Sequence, residues 1–600
     1  MSAGYRAVGW NANKRRYDAW IAAGVVLYVV LFVLATAVLH RSATLETALI
    51  RALGSGALLL LHVILAIGPL CRLDARCLPL LYNRRHLGVA MFLLALAHGA
   101  FALVQYHAFG DTNPFVSLLT ADGDWTRLSD FPFQPFGAAA LLILFVMAAT
   151  SHDFWLHNLT APVWKALHMG VYAAYALLLA HVGFGVLRDE ASATLPVALG
   201  LSATALLALH LLAARREACA DGAAPRTDPD GWVDACGVDE IEEGCGRTVT
   251  VAGERVAIFR WEGRVAALSN ACQHQNGPLG EGRVIGGCVT CPWHGYQYRP
   301  EDGASPPPFT ERVPTFRVSV RDGRVLVDPR PCAPGTAQQP ARHDGEGHTP
   351  VAGFFVGYLR ELPARHARRL ARTLPALLLL AAVTALSLAA GQGPFKPATF
   401  EFGVERSFEG VIVEAPLPTL LLDRPAPGGA SGAATRSRWL LCAEFKHGAQ
   451  GLVAGLDGRR VRATGSLVYR DGQVMLELHG RPAALPDAGA AAPVSLPLGE
   501  VELHGQIVDS KCWLGVMNPA DTISHRACAV RCLSGGIPPL FVVRTADGAA
   551  VSLLLTGRNG RALNREILEL VAEPLVVRGA VERLGALLVL RAEPGEFRRE

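Results

Sequence analysis

CQHQNGPLGEGRVIGGCVTCPWHGYQY, residues 272–298, sets two cysteines and two histidines in the order Cys272-x-His274, sixteen intervening residues, then Cys291-x-x-His294. Two thiols and two imidazoles at short spacing on two loops form a complete set of metal ligands. The competing reading is a zinc knuckle on Cys288-Val-Thr-Cys291, but Cys288 has no second Cys-x-x-Cys pair to complete that site. Gly277-Pro278-Leu279 follows the first pair and Pro292-Trp293-His294-Gly295 spans the last histidine, both turn-prone stretches. What precedes this soluble-looking module is about 200 residues of apolar, histidine-studded chain, so a metal site is tied to a membrane-like segment.

Composition agrees with a mixed protein. The 600 residues exceed what one hydrophobic core uses, so several domains are expected. With 51% hydrophobic and 18% charged residues and a mean hydropathy of +0.28, the chain is too apolar to be wholly soluble and too polar to be wholly buried in lipid. A net charge of +4, with no basic stripe interleaved with aromatics, excludes a nucleic-acid partner. Apolar runs start near Trp20, Leu49, His86, Phe136, Val163 and Thr194, and a seventh covers 374–391. They predict a six-helix transmembrane bundle over 20–213 and one further transmembrane helix. Lys14, Arg15 and Arg16 precede a run long enough to span, so a cleavable signal peptide is not expected.

Positive charges in short loops set the orientation. Residues 1–19 carry Lys14, Arg15 and Arg16, and the second loop carries Arg72, Arg76, Arg84 and Arg85. The third loop instead holds Asp111, Asp122, Asp124 and Asp130 against Arg127. Arg215 and Arg216 follow the sixth run, and Arg360, Arg365, Arg368, Arg369 and Arg372 precede the seventh. The N-terminus and residues 214–373 are therefore expected in the cytoplasm of a bacterial cell, and residues 392–600 in the periplasm.

Beyond a linker at 214–230, residues 231–330 alternate in strand fashion between Gly-bearing turns and predict a small all-β domain. Residues 331–373 read as a flexible tether with a basic flank. Within 392–600, FEGVIVEAPLPTLLL near Gly410 resembles LHGQIVDSKCWLGV near Gly505, and VRATGSLVYRDGQVMLEL near Gly465 resembles LVVRGAVERLGALLVLRA near Gly579. The first pair is offset by 95 residues and the second by 114, so the second copy carries an insertion, the one holding Cys528 and Cys532. Two OB-like β-barrel repeats are expected.

The Cys-x-His and Cys-x-x-His loops resemble those of the Rieske [2Fe–2S] proteins. The resemblance implies that Cys272 and Cys291 hold one iron and His274 and His294 the other. Quinol-oxidising members carry an extra cysteine pair, whose positions here fall at Gly277 and Trp293. A serine that donates to a bridging sulfide falls at Tyr296, while the nearby tyrosine is kept as Tyr298. Fewer donors to the sulfurs imply a lower-potential, ferredoxin-like cluster.

Ten of the nineteen histidines precede residue 214. His40, His107, His152 and His157 occupy loops or helix ends and are expected to be solvated or interfacial; His210 is expected to serve packing. An imidazole inside an apolar helix needs a partner. His86 and His98 in the third helix match His168 and His181 in the fifth by depth, and spacings of 12 and 13 residues correspond to roughly 18–20 Å, room for two stacked haems. On a straight helix, however, those spacings turn each pair about 120° and 140° off a common face. The neighbours Gly88, Gly99, Gly170 and Gly183 would clear space for a porphyrin or serve helix packing. NRRHLGVAMFLLALAHGAF and VWKALHMGVYAAYALLLAHVGF resemble the ferric-reductase-like transmembrane superfamily, which implies a haem role for His98, His168 and His181. In bacterial members a leucine-like residue is expected where His86 stands, so the fourth ligand rests on depth, with His62 as the rival. Without a Cys-x-x-Cys-His, the haem is expected to be b-type.

In VDSKCWLGVMNPADTISHRACAVRCLSGGIPP, a disulfide Cys528–Cys532 or Cys512–Cys532, a redox or metal site with His525, and free thiols are all open. Taken together the pattern predicts an oxidoreductase-type electron-transfer protein. A cytoplasmic donor, a ferredoxin or flavoprotein reductase, would feed the cluster, the b haems and an extracytoplasmic acceptor. No Gly-x-Gly-x-x-Gly follows a strand after 330, so direct nicotinamide oxidation is not expected. The alternatives are a quinol-linked Rieske/cytochrome b oxidoreductase and a haem or cluster redox sensor or assembly factor.

Overall fold

A computed structural model of the chain describes residues 12–600 except 82, 122–124, 128–130, 152–154, 156–157, 160, 190–192, 222–225, 275–276, 293–294, 308, 344–363, 394, 423–436, 489–494 and 546–548. The seven apolar stretches form helices α1 (Ala12–Leu39), α2 (Leu45–Leu73), α3 (Arg84–Ala102), α4 (Gln134–Ala149), α5 (Ala161–Phe184), α6 (Thr194–Asp221) and α7 (Ala364–Ala390). Among the described residues, six helices are long and apolar enough to cross a membrane; α3 is extended by a wider turn, Leu103–His107. The fourth apolar run, expected to span like the others, gives only the 16 residues of α4, about 24 Å of helix against a hydrocarbon core of about 30 Å. Pro135 begins it, and at its end Thr150 and Ser151 turn their hydroxyls back onto the Val146 and Met147 carbonyls.

Helix α2 runs through the middle of the bundle. Its Leu61 and Leu65 pack against Met91 and Phe92 of α3, Ala140 and Leu144 of α4, Ala174 of α5 and Leu206 of α6. Helix α7, though remote in sequence, lies along α1: Ala385 and Ala389 meet Tyr28 and Phe32, the small residues admitting close approach. Gln392 Nε2 donates to Thr36 Oγ1 at 2.7 Å, and the two helices run in the same direction.

The segment after α6 is an all-β domain. One antiparallel sheet orders Arg226–Thr227, Val233–Gly237, Arg324–Val327 and Val318–Arg321; a second orders Ala341–Arg342, Arg264–Ser269, Glu254–Trp261 and Gly246–Val251. Val256, Ile258, Val265, Val325 and Val327 fill the core between them. The tether expected from 331 begins later. Cys332 N donates to Thr315 O, and Ala341–Arg342 adds an edge strand, because this Pro-rich chain can pair on one side only.

Residues 399–600 form two closed barrels of the same strand order. In the first, Arg406–Val413, Thr419–Leu422, Ser437–Ala443, Gln473–Leu478 and Arg459–Arg470 neighbour one another in that order, and the last pairs back to the first. In the second the sequence is Leu496–Asp509, Pro539–Arg544, Ala550–Thr556, Leu587–Arg591 and Leu575–Leu584, closed likewise. Each contains one parallel pair, Ser437–Ala443 with Gln473–Leu478 in the first and Ala550–Thr556 with Leu587–Arg591 in the second. Between first and second strands the first barrel has five residues, whereas the second has the cysteine-bearing segment 510–538, which is wedged between the barrels.

The β domain and the barrels abut opposite ends of the bundle. At the end of α2 and α6, Arg255 of the β domain pairs with Glu217 of α6 at 3.6 Å. At the other end, Lys446 Nζ donates to the Tyr106 carbonyl at 2.8 Å, Asn518 Nδ2 to Ser42 O at 2.9 Å, and Asp189 accepts from Ser524 Oγ at 2.6 Å.

Candidate redox sites

The ligand loops flank a three-stranded sheet, Arg283–Ile285, Cys288–Thr290 and Gln297–Tyr298. Cys272 N donates to Gly277 O at 3.0 Å, closing the first loop, and Cys291 N to Tyr296 O at 2.8 Å, closing the second. Cys272 and Cys291 are fully buried in one apolar cluster with Leu279, Tyr296 and Tyr298. His274 stacks on Tyr296, ring centroids 5.0 Å apart and planes 11° from parallel. Tyr296, at the position where quinol-oxidising Rieske proteins carry a serine, thus packs on the ring of the expected ligand His274. His294 and Trp293 lie outside the described residues. Cys288, the knuckle's second cysteine, is on the middle strand and half-buried.

Tyr298 OH lies 3.4 Å from Cys272 Sγ and accepts from Gln273 N at 3.0 Å, so its own proton is available to a thiolate at Cys272. A hydrogen bond to a ligand thiolate favours the reduced, more negative state. At about 1 kcal/mol, with 59 mV per tenfold for one electron, Tyr298→Phe is expected to lower the cluster's potential by about 40 mV in an EPR redox titration. An unchanged potential would show that the contact does not reach the cluster.

Glu281 ends the first loop's short turn, where it meets Glu217 of α6 and Arg72 of α2. Burial, then the Glu217 charge, push its carboxyl up to about 7, against the pull of Arg72 and Arg255. A carboxyl whose pKa is raised on packing favours the packed state in acid, and this contribution is lost as pH rises through about 7. Packing of the β domain on the helix ends is expected to loosen between pH 6 and pH 8, as faster amide exchange at residues 279–283. Glu281→Gln should flatten the dependence; equal exchange at both pH values in the wild type would contradict it.

In the bundle, His98 and His181 meet. Their ring centroids are 6.2 Å apart and their planes 82° apart. His98 Nδ1 donates to Ile50 O at 2.9 Å on α2, and His181 Nδ1 to Phe133 O at 3.0 Å just before α4. Each ring lies over a glycine one turn beyond its acceptor: a Cβ on Gly54 would be 2.9 Å from His98, and one on Gly137 2.8 Å from His181. With Nδ1 occupied, Nε2 of each is left for a metal. The pair could therefore hold one haem iron through the two Nε2 atoms, and Gly183, beside His181, faces open space. Gly99 and Gly170 instead pack against Leu141 and Ile143 of α4.

The remaining helix histidines are differently placed. His86 Nδ1 lies 2.8 Å from Asp18 Oδ1 on α1, while the adjacent Arg85 donates to Ser151 O toward α4. His168 Nδ1 bonds Trp164 O at 3.0 Å, its ring stacks on that indole at 3.7 Å, and Nε2 is 3.3 Å from Ser151 Oγ. No ring contact joins His86 and His168 among the described residues. The phase difference foreseen from the 12-residue spacing points His86 to α1. His62 bonds its own turn through Leu58 O and contacts Tyr175 OH at 3.0 Å; His210 bonds Leu206 O. His107, expected to be solvated, is 2% exposed and bonds Ser117 Oγ at 2.9 Å, while His40 Nε2 contacts Ala389 O. His152 and His157 lie outside the described residues.

Fold and site define a membrane-embedded iron–sulfur protein of the electron-transfer type. Residues 231–317 match the Rieske [2Fe-2S] domain, and residues 51–179 match the ferric reductase like transmembrane component. The chain belongs to the Rieske family, joined in one polypeptide to a ferric-reductase-like transmembrane domain. Over 98 residues it is 33% identical to the ferredoxin component of the naphthalene 1,2-dioxygenase system of Pseudomonas aeruginosa, 16% of this chain and 94% of that protein. It is 37% identical over 98 residues to cholesterol 7-desaturase of Xenopus laevis, 16% of this chain but only 22% of the desaturase's length. Among solved structures, the ferredoxin of carbazole 1,9a-dioxygenase from Nocardioides aromaticivorans IC177 is 26% identical with a TM-score of 0.16, covering 16% of this chain and 98% of its own.

Proposed function

We propose that the chain moves electrons across a bacterial inner membrane, from a cytoplasmic ferredoxin or flavoprotein donor at the Rieske domain to an acceptor on the periplasmic, barrel-bearing side. The observation that carries this reading is the approach of His98 and His181 within a bundle whose two ends are met by the Rieske domain and by the barrels. A [2Fe–2S] cluster on Cys272, His274, Cys291 and His294 and a b-type haem on His98 and His181 would each supply a one-electron carrier. The chain's own task is to hold the ligands rigid. Ile50 and Phe133 carbonyls fix both imidazole tautomers, and the Cys272 and Cys291 loops are closed by backbone bonds. The sidedness rests on the arginine distribution. We read both barrels as OB-like, from their shared five-strand order with one parallel pair.

A second haem at the depth of His168 requires His86 to leave Asp18 or His62 to leave Tyr175. The quinol-linked alternative is disfavoured by the Rieske loops, where Gly277 stands at one position of the extra cysteine pair. In sealed vesicles of known orientation, reduced ferredoxin added on the Rieske side is expected to reduce the cluster first and then the haem bands in anaerobic stopped-flow optical traces. Cluster reduction with no following haem reduction would overturn the conduit and favour a sensor.

A further inference from the structure

The segment 510–538 gathers a ligand set that electron conduction through the bundle does not use. Asp509, Cys512, His525, Cys528 and Cys532 are each at most 4% exposed. Cys512 Sγ, Cys528 Sγ and one His525 ring nitrogen lie within 4.8 Å of one another, as do Cys512 Sγ, Cys532 Sγ and an Asp509 oxygen; Cys528 and Cys532 sulfurs are 4.0 Å apart. We propose that Cys512, Cys528, Cys532 and His525 bind a thiophilic d10 cation, Cu(I) or Zn(II), between the two barrels.

Three features support a metal over a disulfide. Cys528 and Cys532 are four residues apart on helix α8 (Arg526–Ser534). That spacing puts two ligands on one face, with Cβ atoms about 5–6 Å apart, whereas a disulfide needs about 3.5–4.5 Å. Metal–sulfur bonds of about 2.3 Å in a tetrahedral site set sulfurs about 3.8 Å apart, close to what is found. Cys512, Cys528 and Cys532, foreseen as disulfide partners, form no disulfide with one another. The imidazole, finally, is already oriented: His525 Nε2 donates to Asp509 Oδ2 at 2.9 Å, and Asp509 Oδ1 accepts from Cys512 N at 2.8 Å. This is the carboxylate–histidine support that metal-binding imidazoles receive, and it frees Nδ1 for the metal. Nδ1 is 2.8 Å from the Met517 thioether, a further soft donor on the same side.

Three thiols and an imidazole form the soft donor set that a d10 cation takes. A cation would take the protons from all three. The site also lies at a seam. Arg531, flanked by Val530 and Cys532, donates to Ser117, Thr112 and Thr120 hydroxyls beyond α3, and Tyr106 packs on the same cluster.

The inference does not depend on the conduit. Full-length protein purified in detergent is expected to retain about one copper or zinc per chain beyond its iron. After chelator treatment it should take up about one equivalent of Cu(I) or Zn(II) in competition with a chromogenic chelator, and loading should protect Cys512, Cys528 and Cys532 from alkylation as read by peptide mass spectrometry. Cys528→Ser and Cys532→Ser should lose the uptake with cluster and haem spectra unchanged. Two wild-type results, independent of whether those variants fold, would overturn the site: no metal uptake with all three thiols alkylated equally with and without metal, or a disulfide among them.

Discussion

Purified His181→Ala protein is expected to lose the haem proposed on His98 and His181 while keeping the EPR signal of the reduced iron–sulfur cluster. The alanine methyl leaves no ligand atom at that position in the apolar bundle. The described neighbours of His181 are the rings of His98 and Phe133 and the backbone of Gly137. His98→Ala should match it, because each ring is fixed by its own carbonyl, Ile50 O or Phe133 O. Pyridine haemochrome content per chain is the readout. The same measurement on His168→Ala counts the haems: full content means one haem on His98 and His181, and a loss equal to that of His181→Ala means a second at the depth of His168. Unchanged haem in both His98→Ala and His181→Ala would remove the haem from this pair altogether.

The contrast between these histidines shows what the sequence could carry. The cluster loops were legible because their spacing is local; Cys-x-His and Cys-x-x-His need only two tight turns, and the Gly277 and Tyr296 carbonyls close them. His98 and His181 were legible by depth, since rise per residue depends only on counting. Azimuth is harder. Twelve residues leave His86 about 120° away from His98, and the side chain finds Asp18 on α1, a partner 68 residues earlier. The acceptors Ile50 and Phe133 are 48 residues from their histidines, the glycines under the rings, Gly54 and Gly137, are 44 away, and neither carried a motif. In the barrels the offset of 95 against 114 residues disclosed an insertion. That it folds between two barrels, bringing Cys512 to Cys528 and Cys532 across sixteen residues, follows from packing and not from spacing.

Cys272→Ser is the substitution expected to stop electron entry. Cys272 is fully buried, its backbone closes the first loop, and its sulfur faces Tyr298 OH. Serine keeps the volume and the backbone bond but offers a hard, protonated oxygen where a soft thiolate is needed, so the cluster is lost without emptying the core. The membrane half should be untouched: His98 and His181 are anchored on α2 and ahead of α4, and no Rieske residue contributes to either bond. Haem content and its reduction by dithionite should therefore equal wild type, while haem reduction by reduced ferredoxin falls by at least roughly 100-fold, a scale that even outer-shell changes reach at metal sites. If ferredoxin still reduces the haem at the wild-type rate, electrons enter elsewhere and the Rieske domain is not the port. If haem content falls as well, the two sites depend on each other for assembly, and the seam formed by Glu217, Arg255, Arg72 and Glu281 is where that dependence would arise.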